Sequence, residues 1–205
     1  MSNLRFREFY RRRLPHIQMA GATYFITFRL ANSLPVETLE SLRAESQKIK
    51  NLPAEQAFLA HEHWFARYDD FLDRIVCGES FLKDGKIADM VAESIKFRND
   101  KIYDLAAFSV MPNHAHLVCT PLEKSTSVFY GLTEILHSLK RHTARQANLL
   151  LGRTGAFWQD ESYDHIVRDE AELERIIKYV LYNPVKAGLV DDWSQWQWSY
   201  CKYEI

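Results

Sequence analysis

The chain has 205 residues, 47% of them apolar, and a formal net charge of −1. That length suits a single domain, 1–205, with core enough to fold without staples, and the near-zero charge gives no global basic signal for nucleic acid; any such binding must use a local patch. Cys77, Cys119 and Cys201 are scattered and form no Cys-x-x-Cys pair, which fits reduced thiols in a cytoplasm, and no apolar run suggests a membrane span or a signal-peptide core.

The first 20 residues read as a basic arm, with Arg5, Arg7, Arg11, Arg12 and Arg13 interleaved with Phe6, Phe9 and Tyr10. Such an arm can grip phosphates and offer rings to unpaired bases. Tyr24 to Leu30 is β-branched and aromatic throughout, the pattern of a buried strand. Val36 to Lys50 and Ala54 to Asp73 have helical spacing and lie in a helical insertion, 35–85, after that strand. The second of these contains His61-Glu62-His63, but on a helix the two imidazoles diverge by about 200° and are poor co-ligands. Ile87 to Asn99 predicts another helix, with Ile87, Val91 and Ile95 inward and Phe97 a further inward candidate.

Tyr103 to Met111 and His114 to Thr120 predict two strands joined by a turn at Met111-Pro112-Asn113. In the second strand His114 and His116 point the same way, so two imidazoles share one face and form half of a metal site. Ser125 to Leu151 has the spacing of one long helix capped by Gly152, with Lys140, Arg141, His142 and Arg145 clustered late and Arg153 beyond the cap. This same-sign cluster, in a chain of near-zero charge, points to phosphate contact. Gly155 to Gln159 and Tyr163 to Arg168 supply a further strand with a bend. A last helix is predicted from Asp169 or Glu170 to Asn183, stopping before Pro184. The tail, 190–205, is rich in tryptophan and is expected to pack on the body.

This order fits an α+β fold: a ferredoxin-like β-α-β-β-α-β antiparallel sheet with helices on one face, the helical insertion after the first strand, and a late helix. On the late helix Leu173, Ile176, Ile177, Val180 and Leu181 make one apolar stripe. Tyr179 and Asn183, four apart, lie together along its flank, and Tyr182 faces away.

His114-Ala115-His116 on a strand, followed by Tyr179-Val180-Leu181-Tyr182-Asn183-Pro184 on a late helix, resembles the REP-associated tyrosine transposases. These belong to the wider superfamily of His-hydrophobic-His single-tyrosine nucleases and transposases. The resemblance extends to Arg13-Leu14-Pro15-His16, Tyr24-Phe25-Ile26-Thr27-Phe28, Met111-Pro112-Asn113, Phe157-Trp158-Gln159-Asp160 and Tyr163-Asp164-His165. Two departures are Ala115, small for the hydrophobic position, and the long insertion.

The resemblance implies metal-dependent cleavage and rejoining of single-stranded or hairpin DNA through a 5′-phosphotyrosine. Tyr179 would be the nucleophile, the helix on which it sits carrying it to the site. His114, His116 and the Asn183 side-chain oxygen would hold Mg2+ or Mn2+. Arg11, Arg12, Arg13, Lys140, Arg141, Arg145 and Arg153 are the candidates for DNA phosphates, with Trp158 either stacking on a base or serving the core. Relatives act as monomers or as homodimers, and the chain alone does not choose. A domesticated hairpin-binding protein without transposition is the alternative within the family. A histidine-triad nucleotide hydrolase would want a third histidine where Val118 stands, and an RNA-binding sheet would display aromatics where the central hairpin displays histidines.

Overall fold

We describe the chain from a computed structural model over residues 6–11, 15–74 and 78–204. In chain order the strands are β1 (Phe6–Arg11), β2 (Pro15–Met19), β3 (Tyr24–Arg29), β4 (Tyr103–Val110), β5 (His114–Pro121), β6 (Glu123–Ser125), β7 (Val128–Phe129), β8 (Tyr163–Ile166) and β9 (Ser199–Cys201). The helices are α1 (Val36–Ile49), α2 (Ala54–Asp73), α3 (Gly85–Phe97), α4 (Leu132–Leu150) and α5 (Glu170–Lys186). The main sheet runs β8-β3-β5-β4-β9 with every pair antiparallel, and β1-β2 and β6-β7 are separate two-stranded ladders. Strands β3, β4, β5 and β8, taken with α3 and α4, form the split β-α-β-β-α-β unit expected from the element order.

Strand alternation sorts the core into two layers. Tyr24, Ile26 and Phe28 of β3, with Ala115, Leu117 and Cys119 of β5, face α3 and α4, where Val91, Ile95, Ile135 and Leu139 close over them. Phe25 and Val118 face the opposite way and pack with Ile177, Val180 and Leu181 of α5. The two crossover helices thus cover one face of the sheet, as the ferredoxin-like pattern requires, and the late helix covers the other. His114 and His116 alternate with Ala115 and so lie on the α5 side.

The insertion is a closed excursion. Glu79 N–H donates to Asn32 O (3.1 Å), so the chain returns from α2 to the point where it left β3. Gly78 makes this return possible: its φ is +93°, and a Cβ there would lie 2.5 Å from Asn32 O. Within the excursion Leu42, Ile49 and Trp64 form a small core of their own, and Trp64 Nε1 donates to Leu42 O (2.9 Å).

Several details differ from the sequence expectation: of the strand expected over 155–168 only β8 forms, Trp158 making an isolated bridge to Leu30, and Phe97 is exposed at the end of α3. The helix predicted from Ser125 starts only at Leu132, because Ser127 at φ +59° turns the chain and 123–129 pairs with itself as β6-β7. The last helix does not stop before Pro184 but continues to Lys186. A proline in the final turn removes a single helical hydrogen bond, and Pro184 is buried, so packing offsets that loss. The tail packs on the body as expected: β9 pairs with β4, Trp196 Nε1 donates to Val110 O (3.0 Å) and Trp198 Nε1 to Asp89 Oδ1 (2.8 Å). Among the described residues no helix is long and apolar enough to cross a membrane.

Candidate active site

Strand β5 is the middle strand of five, and His114 and His116 are both fully buried on it. Their Nε2 atoms lie 2.9 Å apart. Each ring is fixed from behind. His114 Nδ1 lies 2.6 Å from Asn113 Oδ1, and His116 Nδ1 lies 2.8 Å from Thr27 Oγ1. Asn113 Oδ1 can only accept, so His114 carries its proton on Nδ1 and turns the Nε2 lone pair into the site. Burial, reinforced by the charge of Lys186, pushes His114 down to about 3, and burial with His114 and Lys186 lowers His116 as well. Both rings are therefore neutral at neutral pH. With His116 donating from Nδ1 to Thr27 Oγ1, both Nε2 atoms would be acceptors, an arrangement that suits a cation between them.

Helix α5 brings Tyr179 and Asn183 to the same place. Asn183 is buried, and its Nδ2 lies 3.2 Å from His116 Nε2 and 3.4 Å from the Tyr179 hydroxyl. The half-buried Tyr179 ring stands 5.7 Å from the His116 ring and meets Phe25 edge-on at 6.0 Å. Tyr182 is half exposed on the far side of the helix. The 3.6-residue period that sets the apolar stripe of α5 against the sheet thus also sets which tyrosine faces the histidines.

Helix α2 of the insertion supplies a third wall that sequence reasoning missed. Asp69 is buried with Oδ1 3.7 Å from His116 Nε2, and Asp73 is buried with Oδ1 3.9 Å from His114 Nε2. Asp69, His114 and His116 offer three donor atoms within 4.8 Å of one another. Burial chiefly, and the neighbouring Asp73, raise the Asp69 carboxyl well above the usual range; burial also raises Asp73, against the pull of Lys186. Lys186 Nζ donates to Asp73 Oδ2 (2.8 Å). Asp69 Oδ1, Asp73 Oδ1 and Asn183 Oδ1 are all buried without a hydrogen-bond partner. Asp69, His114 and His116 are thus a group that could hold a metal ion, with the unpartnered oxygens of Asp73 and Asn183 buried nearby. The one signal for Asp69 in the sequence is its place four residues after Phe65, on the apolar side of α2. Asn113, read only as a turn residue, links the walls: its Nδ2 donates to Leu72 O on α2 (2.9 Å) while its Oδ1 holds His114. His61 and His63 do not join the site; His61 lies against Trp64, and His63 is exposed.

The residues proposed for DNA divide. Arg141 and Arg145 are exposed on α4, across the sheet from the histidines. Lys140 is otherwise engaged, since its ammonium donates to Gln159 O, Asp160 O and Ser162 Oγ at 2.7–3.1 Å, which corrects its reading as a phosphate ligand. Arg153 lies over the Phe81 ring at 4.7 Å and donates to Ala156 O. Trp158 is a core residue and not a stacking platform: it is buried between Phe28 and Phe157, and its Nε1 donates to Thr143 Oγ1 (2.8 Å). Arg11 belongs to β1, with its side chain outside the description, and Arg12 and Arg13 lie outside the described residues.

No protein-family profile matches the chain. Two curated relatives do. One, from Haemophilus influenzae and provisionally named a REP-associated tyrosine transposase, is 26% identical over 102 residues, covering 47% of this chain and 58% of the relative. The other, the REP-associated tyrosine transposase of Escherichia coli K12, is 26% identical over 105 residues, covering 51% and 58%. The match thus spans little more than half the length of these relatives. Among solved structures, a REP-associated tyrosine transposase bound to a REP hairpin aligns with a TM-score of 0.49 at 18% identity, over 97% of this chain and 82% of that one. A transposase-like protein from Deinococcus radiodurans aligns with a TM-score of 0.30 at 13% identity, over 77% and 87%. Over about half of its length, this chain is similar in sequence to the REP-associated tyrosine transposases.

Proposed function

We propose that the chain is a metal-dependent nuclease and strand transferase that cleaves and rejoins single-stranded DNA beside a hairpin, with Tyr179 as nucleophile. The observation that carries this reading is the meeting of β5 and α5, where one amide, Asn183 Nδ2, lies within 3.4 Å of both His116 Nε2 and the Tyr179 hydroxyl. A phenol is a weak nucleophile at its usual pKa and needs help. Asn183 donating to the Tyr179 oxygen favours the phenolate. Attack of that oxygen on phosphorus breaks the bond to the 3′-oxygen, which leaves as a hydroxyl after taking a proton, while the phenolic proton is lost. The 5′-phosphate remains on Tyr179, and attack by a 3′-hydroxyl reverses the step with no nucleotide cofactor.

His114, His116 and Asp69 would hold Mg2+ or Mn2+; the Asn183 oxygen could join them only if the amide turned over and gave up its donation to Tyr179. Two imidazoles suit Mn2+ at least as well as Mg2+. Such a cation polarises the scissile phosphate and offsets charge on its oxygens. Asn113 and Thr27 orient the imidazoles, and Lys186 keeps Asp73 paired. Arg141 and Arg145 are the phosphate contacts retained from α4.

The test is covalent trapping. Wild type and Tyr179→Phe are incubated with labelled hairpin DNA from the repeats flanking the gene, with Mn2+, and run on denaturing gels. An adduct formed by wild type alone, with DNA binding by the variant within a few-fold, supports the reading. An adduct from Tyr179→Phe sinks the nucleophile assignment. Tight binding without an adduct from either protein favours the domesticated binder.

A further inference from the structure

Between the insertion and the sheet lies a cavity of about 360 Å3, within the size range of ligand pockets, which the chemistry above does not use. Its walls come from α1 and α2 of the insertion and from the chain entering β8. Arg29, Arg43 and Lys50 line it against one carboxylate, Glu161, so its charge favours an anion. Trp64, Tyr68 and Tyr163 give it aromatic surface. Ser46 Oγ, buried and without a hydrogen-bond partner, also lines it, as does Gln159. An orphaned hydroxyl in a wall of rings and cations asks for a ligand that is flat, polar at its edge and negatively charged on its linker.

The cavity is coupled to the active site through two elements. Arg29 pairs with His114 across β3 and β5, and side chains so paired stand on the same face of the sheet. Helix α2 presents Trp64 and Tyr68 to the cavity, while Asp69 and Asp73 on the same helix reach the histidines. A strand with one phosphate at His114 and His116 could then reach this cavity with its neighbouring nucleotide.

We propose that the cavity is a subsite for one unpaired nucleotide next to the scissile phosphate, its base among Trp64, Tyr68 and Tyr163 and its phosphate toward Arg43, with Arg29, one of whose nitrogens is held to Leu30 O and Ser33 Oγ, adding positive charge from the wall. Ser46 Oγ and the Gln159 amide would then read the base edge, which gives the insertion a part in choosing the cleavage position. This inference rests on the DNA-cleavage reading above.

The experiment uses the full chain, the labelled hairpin with its single-stranded flanks, and a set of the same oligonucleotides with an abasic site moved through the flank. Binding is read by fluorescence anisotropy. A base stacked on protein aromatics contributes enough that its loss costs roughly fivefold or more in affinity. Wild type is expected to show such a loss at one flank position beside the cleavage site. Ser46→Leu, which fills the cavity, and Arg43→Glu, at an exposed position, should weaken binding to the intact DNA and flatten that profile. Melting curves on both variants verify folding, and either folded variant suffices. Hairpin binding and adduct formation with a flat wild-type profile, or a profile that both folded variants leave unchanged, overturns the subsite and spares the nuclease reading. Absence of hairpin binding by wild type overturns both.

Discussion

Asp69→Asn should make the metal-free protein more stable and the metal-loaded one relatively less so. Without a cation the site buries two carboxylates side by side, each with an oxygen that has no partner. A buried unsatisfied polar group costs about 1–3 kcal/mol, more when charged. Asparagine keeps the shape and cannot ionise, so in chelator, at a pH high enough to ionise Asp69, the variant should gain about 1–3 kcal/mol. For a chain of this size each kcal/mol moves Tm by about 2–4 °C. Mn2+ at a hundred times the wild-type Kd stabilises wild type by about 2.7 kcal/mol. If loss of the carboxylate weakens affinity by about 10–100-fold, the variant gains only about 0.4–1.4 kcal/mol at the same concentration. The assay is a pair of thermal melts, in chelator and in Mn2+, for each protein, with Kd measured by calorimetry. A variant that is less stable than wild type in chelator, or that shows an equal metal-induced shift, would refute Asp69 as a ligand.

Glu172→Gln should destabilise the protein at neutral pH by about 1–2 kcal/mol. Burial works to raise the Glu172 carboxyl, but Arg168, through side chain and backbone N–H, and His165 outweigh it and hold it at about 2. A depressed carboxyl stabilises above its ordinary value near 4.5 and loses that contribution as pH falls toward about 2, so melts of wild type and variant should converge over that window. Trp158→Phe should cost about 1–2 kcal/mol through the lost Thr143 hydrogen bond and leave DNA affinity unchanged; a binding defect in a folded variant would restore a stacking role. Arg141→Ala with Arg145→Ala should lower the slope of log affinity against log salt by about 1.4–1.8, the value for two phosphate contacts, and an unaltered slope would assign α4 to solvent.

The half of the site made by β5 and α5 was legible because both elements carry a regular period. Alternation puts His114 and His116 on one face, and helical spacing puts Tyr179 and Asn183 on one flank. The half made by α2 was not. Asp69, Asp70 and Asp73 look like three solvated carboxylates, and what separates Asp69 and Asp73 from Asp70 is their approach to His116 and His114, on a strand formed much later in the chain. Trp158 and Lys140 misled for a related reason. A tryptophan or a lysine near a basic cluster has the same local signature whether it meets DNA or, as here, closes the loop after α4 against the core. The start of α4 was hidden by Val128, which fits the helical stripe but pairs in β7.

The histidines and Asp69 reach the same point by different routes, with a kinetic consequence. His114 and His116 belong to a central strand laddered on both sides, with Ala115 between them locked into the main core. Amides there can exchange with solvent only when the sheet as a whole opens. Asp69 arrives on a helix that touches the sheet through side chains, without a ladder. The insertion half is held by side-chain contacts, with Asn113 Nδ2 bonded to Leu72 O and Lys186 to Asp73, so its amides are expected to exchange ahead of those of the central strand.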